Sequence, residues 1–567
     1  MPEYLTPGVY FELRDPAPSV RGVRTDVAGF AGIAERGPIG TPVRIESFRQ
    51  FQAWYGSFAT YGYLAYALKG FFENGGRTCY VVRVAGTDAG RASLTLSNAA
   101  SKPVIRVYGA NEGTWARRVS VSIVSTYHAA VPADSTFTLR VTHGNDMELF
   151  RDLSVDPSKP AYFETIINTG NEYTPPSRWI TVEALDSIST TDMVPSWAGS
   201  GLANGCGFLS GGKDGLASLT PNDFLGDMLA AAADRRGLAA LALIDEVAML
   251  AMPDIHIRPS IAQVPPPKPP VPPSDPCLNP QPPAPVPPPA AVADQPPLFT
   301  EAQISRMMHA MVEHCEEMKD RFAILDLPLV VSTGRSRTVT EAMALRNDFD
   351  SPRGFGALYY PWISVVDPIG TSGAPVRTIP PSGHVAGIFA RTDNETGVHR
   401  APANAELMWT SDVSVNVGDE EHGLLIPVGV NCIRPFPGRG IRLFGARTIS
   451  SDSSWRYVNV RRLMMMIEEA VDEASQWAVF EPHNVVLRQG LIRSVGGYLE
   501  MLWRSGKLAG ASAAEAFFVK CDDTNNPQSS VDEGRVIVDV GVAPAIPAEF
   551  IVFRVGRTVE ELEIVER

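Results

Sequence analysis

Five short runs that are apolar on both faces set the strongest limit on how this chain can fold. They are VAGFAGIAE (27–35), TCYVVRV (78–84), LAALALID (238–245), RFAILDLP (321–328) and ALYYPWISVVDP (357–368). A strand with one face in water alternates polar and apolar side chains, and these do not, so each must be covered on both sides. Helical patterns from about Phe48 to Phe72, at 222–234 and at 300–319 fall between the runs and can supply the cover, which predicts an α/β layer. From about Ala85 to Cys206 the texture changes to alternating runs, among them VIRVYG, RVSVSIVS, FTLRVTH and RWITVEAL, broken by Gly, Pro and polar turns. Period two with frequent turns predicts antiparallel strands. The expected organisation is an α/β core in two parts, 28–84 and 207–429, with a β-rich surface domain, 85–206, inserted between them.

Residues 259–297 hold 18 prolines and almost no large apolar side chains, so they are expected to form a stiff polyproline-like excursion rather than a packed element. Residues 430–534 are expected to form a C-terminal α+β domain. Near its start, Pro435, Pro437, Gly438 and Gly440 force a basic turn ahead of a short strand. Ser451, Asp452, Ser453 and Ser454 then offer oxygens to cap a helix, on which Val460, Leu463, Met464, Ile467, Val471, Ala474 and Trp477 recur as a core stripe.

The other face of that helix opposes its own dipole, with Arg461 and Arg462 near the start and Glu468, Glu469, Asp472 and Glu473 near the end. The acids also stand four residues apart in like-charged pairs, which repel. Local stability does not account for these charges. They form either a solvated face or one that docks on a partner carrying cations. A second amphipathic helix carries Leu487, Leu491, Val495, Leu499 and Leu502 and ends near Gly506.

Both ends of the chain read as arms. In residues 1–27 the strand-like run Val9, Tyr10, Phe11 to Leu13 lies between Pro7-Gly8 and Asp15-Pro16, with no turn to return it onto a neighbour. It needs an edge supplied from elsewhere. Residues 535–567 contain the β-runs RVIVDVGV (535–542, with Val536, Val538 and Val540) and EFIVFRV (549–555, with Phe550 and Val552). The proline-containing link between them is no tight hairpin turn, so they pair through a wider loop or join a sheet formed elsewhere.

A formal charge of −14 disfavours nucleic acid or an anionic membrane as the main partner. Six scattered cysteines without a C-x-x-C pair suit a reducing cytosol, and no apolar segment approaches the length of a membrane span. The N-terminus has no basic region followed by an apolar run and is expected to carry no secretory leader.

Signals for catalysis are sparse. Gly207 to Lys213 satisfies G-x-x-x-x-G-K, but Asp214 stands where a magnesium-binding hydroxyl belongs, so a nucleotide-binding enzyme is an alternative resting on a degenerate loop. His309, Glu313, His314 and Cys315 lack metal-ligand spacing. Ser382 beside His384 has no nucleophile context. No catalytic, cofactor or metal residue is assigned.

Blocks along the whole chain resemble the contractile tail sheath proteins. They include TPGVYFE (6–12), GIAERGPIGTPVRIESFRQF (32–51), NGGRTCYVVRV (74–84), LSGGKDG (209–215), PPSGHVAGIFARTDNETGVHRAPAN (380–404), Asn431 to Trp477, EAFFVKCD (515–522) and GRVIVDVGVAPAIPAEFIVFRV (534–555). The resemblance implies a structural subunit of a phage tail or related bacterial injection machine. Such a subunit assembles in the cytoplasm, polymerises helically in stacked, six-fold rings around an inner tube, and contracts from a metastable extended state. The implied partners are copies of itself, the tube, the baseplate and terminal cap proteins. Terminal strands would exchange between subunits through Val9, Tyr10, Phe11, Leu13, Val536, Val538, Val540, Phe550 and Val552. Arg461, Arg462, Glu468, Glu469, Asp472 and Glu473 would face the tube or a neighbour. A non-contractile scaffold or adhesin on the same fold is a further alternative.

Overall fold

The computed structural model describes residues 23–128, 135–185, 194–196, 198–201, 206–259, 294–370 and 376–549. Six parallel strands form the heart of a nine-stranded sheet, in the spatial order Val430–Phe436, Gly356–Tyr360, Phe322–Asp326, Met249–Ala251, Ala28–Gly32, Cys79–Arg83. Antiparallel strands flank them, Val43–Ile45 on one side and Gly440–Phe444 followed by Ala405–Glu406 on the other. The central strands are buried along their whole length. Helices Leu64–Glu73 and Ser382–Glu395 pack on each other and on this sheet, as does Glu301–Met318. Only glycine fits at position 383, whose Cβ would run into the backbone of Ala67 on the facing helix.

Three expectations about this core are corrected. LAALALID is not a strand: Gly237–Leu241 is a short helix, and the strand is Met249–Ala251. A short buried apolar run does not distinguish helix from strand, and its alanines favour helix. The pattern at 222–234 shrinks to helix Pro221–Leu225 and a single 3₁₀ turn, Ala232–Asp234. The C-terminal unit does not begin at 430, because Val430–Phe436 and Gly440–Phe444 are paired strands of the core sheet.

The β-rich unit comprises two four-stranded sheets around its own apolar cluster, which includes Trp115, Val121, Leu139, Phe163 and Ile180. The chain passes from one sheet to the other between Cys206–Phe208 and Ser210–Lys213, so the unit closes at 213 rather than 206. Its entry and exit lie side by side, with the Gly86 amide donating to the Gly215 carbonyl at 2.9 Å.

Beyond residue 450, helices Val458–Ser475 and Val485–Arg504 share a small core of Leu463, Met466, Ile467, Ala470, Val495, Leu499 and Leu502. The Asn484 side chain caps the second helix by accepting from the Leu487 amide. The first helix is not capped by the serine-rich turn. Asp452 instead caps the 3₁₀ turn Ser453–Trp455, and the helix starts at Val458. Phe517–Lys520 and Asp539–Val542 pair antiparallel as a two-stranded ribbon against this small core.

Candidate functional site

The ribbon is where the expected exchange strands meet described structure. Phe517, Val519 and Val542 turn inward onto the helices, while Phe518 is 58% exposed on the opposite face. Among the described residues neither strand is laddered to a third strand, and a lone two-stranded ribbon is marginal in water. Val540 lies in it opposite Val519. Val536 and Val538 precede the strand, half-buried, so the strand expected over 535–542 is shorter by its first half. Val9, Tyr10, Phe11, Leu13, Phe550 and Val552 fall outside the described residues.

The charged face of helix Val458–Ser475 divides in two. Arg461 and Arg462 are 2% and 3% exposed, which corrects the expectation that they face a tube or neighbour. The Arg461 guanidinium lies over the rings of Phe355 and Trp455, at 4.4 and 4.7 Å, and donates to both Glu468 oxygens at 3.0 Å. Arg462 forms a bidentate pair with buried Asp393 at 3.0 and 2.6 Å. The core stripe is displaced accordingly, with Met465, Met466 and Ala470 buried and Val471, Ala474 and Trp477 only half-buried.

Glu468, Glu469, Asp472 and Glu473 form one wall of a cleft of about 860 Å³. Asp245, Glu246 and Asp320 of the core also line it, against two cations, Arg24 and Lys319. Burial, with Asp320 and Glu473 nearby, pushes the Glu469 carboxyl up to about 7. The core carboxylates were not identifiable in the sequence, since Asp320 lies some 150 residues, and Asp245 and Glu246 some 220, from the helix they face.

Preformed anion sites in the core are filled by the chain itself. In an open α/β sheet, ligands settle at the carboxyl ends of the strands where the strand order reverses, here between Ala28–Gly32 and Met249–Ala251. Asp254 occupies that position, accepting from the amides of Ile33 (2.6 Å) and Tyr63 at the start of helix Leu64–Glu73. A Cβ on Gly32 would sit 2.5 Å from its carboxylate. Asp326 likewise accepts from the Ser382 amide at 2.7 Å, at the start of helix Ser382–Glu395.

The Gly207 to Lys213 segment is no phosphate loop. It is strand on both sides of Leu209, and the next four amides, 214–217, all donate to Asp294 at 2.9–3.1 Å. Asp214 accepts from the amide and hydroxyl of Thr114 at 2.8 and 2.7 Å, tying the β-rich unit to the turn. Ser382 and His384 are wholly buried, the imidazole stacked on Trp409. His309 stacks on Phe349, and no three His, Cys, Asp or Glu side chains among the described residues group to hold a metal. No described helix is long and apolar enough to cross a membrane.

Comparison with known proteins places these features. Residues 297–449 match the family model for the phage tail sheath protein central domain, and residues 450–558 that for the phage tail sheath C-terminal domain. The tail sheath protein of Vibrio phage KVP40 is 26% identical over 34% of this chain and 28% of its own length. A putative prophage major tail sheath protein of Pseudomonas aeruginosa (strain UCBPP-PA14) is 30% identical over 41% of this chain and 58% of its own. The chain therefore spans little more than half, or less, of these relatives' lengths. A cryo-EM structure of an extracellular contractile injection system, the PVC sheath complex in its contracted state, superposes with a TM-score of 0.53, covering 99% of this chain and 100% of that one at 21% identity. The two matched domains meet at 449/450, where the nine-stranded sheet ends and the small helical core begins; residues 297–558 carry the central and C-terminal domains of the phage tail sheath family.

Proposed function

We propose that the chain is the structural sheath subunit of a contractile injection machine, assembling in the cytoplasm as stacked six-fold rings around an inner tube and beneath a terminal cap. Subunits connect by exchanging terminal strands, and the sheath contracts from a metastable extended packing started at the baseplate. The observation that carries this reading is the two-stranded ribbon Phe517–Lys520/Asp539–Val542, apolar on its inner face and, among the described residues, without a third strand. Main-chain hydrogen bonds along such edges join one subunit to the next, and a head-to-tail contact that does not close on itself grows into a helix. Internal filling of the α/β crevice by Asp254 and Asp326 favours a structural role over turnover of a small molecule. The acidic cleft then receives a cationic group of the tube or of a neighbouring subunit.

Negative-stain microscopy of the purified chain tests the assembly directly: hollow helical tubes are expected. Deleting residues 1–13, with Val9 to Leu13, should leave a folded monomer that forms none. Normal tubes from the deletion variant would remove strand exchange from the mechanism.

A further inference from the structure

Residues at the two ends of the described chain grip the same end of one helix. At the N-terminal root, the Thr25 hydroxyl donates to Asp393 at 2.8 Å, and the Thr25 carbonyl accepts from Arg462 at 2.8 Å. Asp26 accepts from Asn394 at 3.1 Å and is paired to Arg24 at 3.0 Å. Arg462 and Asp393 are themselves a buried bidentate pair, the guanidinium lying 4.8 Å from the Phe389 ring. At the C-terminal root, Glu549 accepts from the Arg447 fork at 3.0 and 2.5 Å and from the Tyr457 hydroxyl at 3.4 Å. The Ala545 carbonyl accepts from Asn459 at 3.1 Å. Asn459 and Arg462 lie within the first two turns of helix Val458–Ser475, and Tyr457, the residue just before it, bridges to Arg447 in the antiparallel sense.

We propose that Arg447, Asn459 and Arg462 form a clasp that holds both arm roots to one joint, so that a load arriving through one arm leaves through the other across this joint. Rigid, buried forks suit the task because a guanidinium paired at both nitrogens fixes direction as well as distance. The path crosses neither the β-rich unit nor the body of the nine-stranded sheet. Residues 25–26 and 545–549 then move as one piece with the start of helix Val458–Ser475. This assignment rests on strand exchange as the mode of assembly.

Hydrogen exchange on the full-length soluble chain tests the clasp without relying on assembly. Arg462→Met should speed exchange of residues 23–27, and Arg447→Met that of residues 543–549, by about tenfold each, with the central strands unchanged. Thr25→Val and Glu549→Gln, which keep both arginines, should give the same local effect and serve if an arginine variant does not fold. Arg488→Met, which breaks a pair with exposed Asp523, should leave both roots unaffected. Unchanged exchange at the roots overturns the clasp. Where the wild type forms tubes, the clasp variants should form shorter, fragmented ones, and tubes of wild-type length would overturn the load path. A wild type that forms no tubes would fault the sheath reading while the exchange result still decides the clasp.

Discussion

Asp326 illustrates at the residue scale what the core does with a site that a ligand would otherwise use. Burial pushes its carboxyl up to about 7 although the Ser382 amide and the start of a helix both favour the anion. Because the unfolded chain ionises near the ordinary 3.8, both states are protonated at lower pH, and the group then subtracts stability steadily as pH rises toward 7. Asp326→Asn keeps an oxygen for the Ser382 amide and removes that loss. The variant should gain on wild type from pH 4 to 7, by about 2–4 kcal/mol at the upper end, and hold its lead above it. Buried His256, His314 and His384, held down to about 3, 4 and 4, lose stability in the opposite direction as pH falls, so the difference between variant and wild type is the informative quantity. Chemical denaturation at a series of pH values measures it, and a pH-independent difference would mean that Asp326 ionises freely in the fold. The roles of Arg461 and Arg462 were hidden from sequence for a related reason. Their partners Phe355 and Asp393 lie far away in the chain, so two buried arginines look like two solvated ones on a helix read alone.

Among the elements, those with local signals were legible and those decided by distant contacts were not. Helix Glu301–Met318 has its Thr300 capping box, and helix Val485–Arg504 has Asn484 before it and Gly506, in the left-handed region, after it. The turn from Phe436 to Gly440 was legible as a turn but not as the last hairpin of the core sheet, because its pairing with Gly356–Tyr360 is set across some 70 residues. Helix Val458–Ser475 falls between these cases: its span follows from spacing, while its acidic end makes sense only against the carboxylates across the cleft. Like charges face each other there without enough cations to balance them. Glu469→Lys with Asp472→Lys should therefore leave the isolated chain as stable as wild type or up to about 1 kcal/mol more so, yet weaken tube assembly and flatten its salt dependence. Thermal melts and sedimentation of assembled material across a salt series separate the two effects. Assembly with unaltered salt dependence would show that the cleft meets no cation.

The whole molecule consists of a core that carries the arms and a β-rich unit that stands apart from their roots. The unit has its own apolar cluster, and its two connections to the core meet at the Gly86–Gly215 hydrogen bond, so residues 87–213 can be replaced by a short Gly-Ser bridge without stretching the sheet. The core would give up identifiable contacts. The Gly37 amide loses Asn111, buried Arg83 loses the Glu112 carbonyl, Glu35 loses Arg118, and Asp214 loses Thr114. At about 1 kcal/mol for each hydrogen bond left without a replacement, the excised chain should be a few kcal/mol less stable but folded. Helix Val458–Ser475, the ribbon and both arm roots lie outside the excised segment, so the variant should still polymerise, into tubes thinner than wild type by the breadth of the missing surface domain. Calorimetry and negative-stain microscopy of the same preparation read both consequences. A folded chain that no longer makes tubes would place the β-rich unit in the load path, and the clasp at Arg447, Asn459 and Arg462 could not then be the joint through which the arms pull.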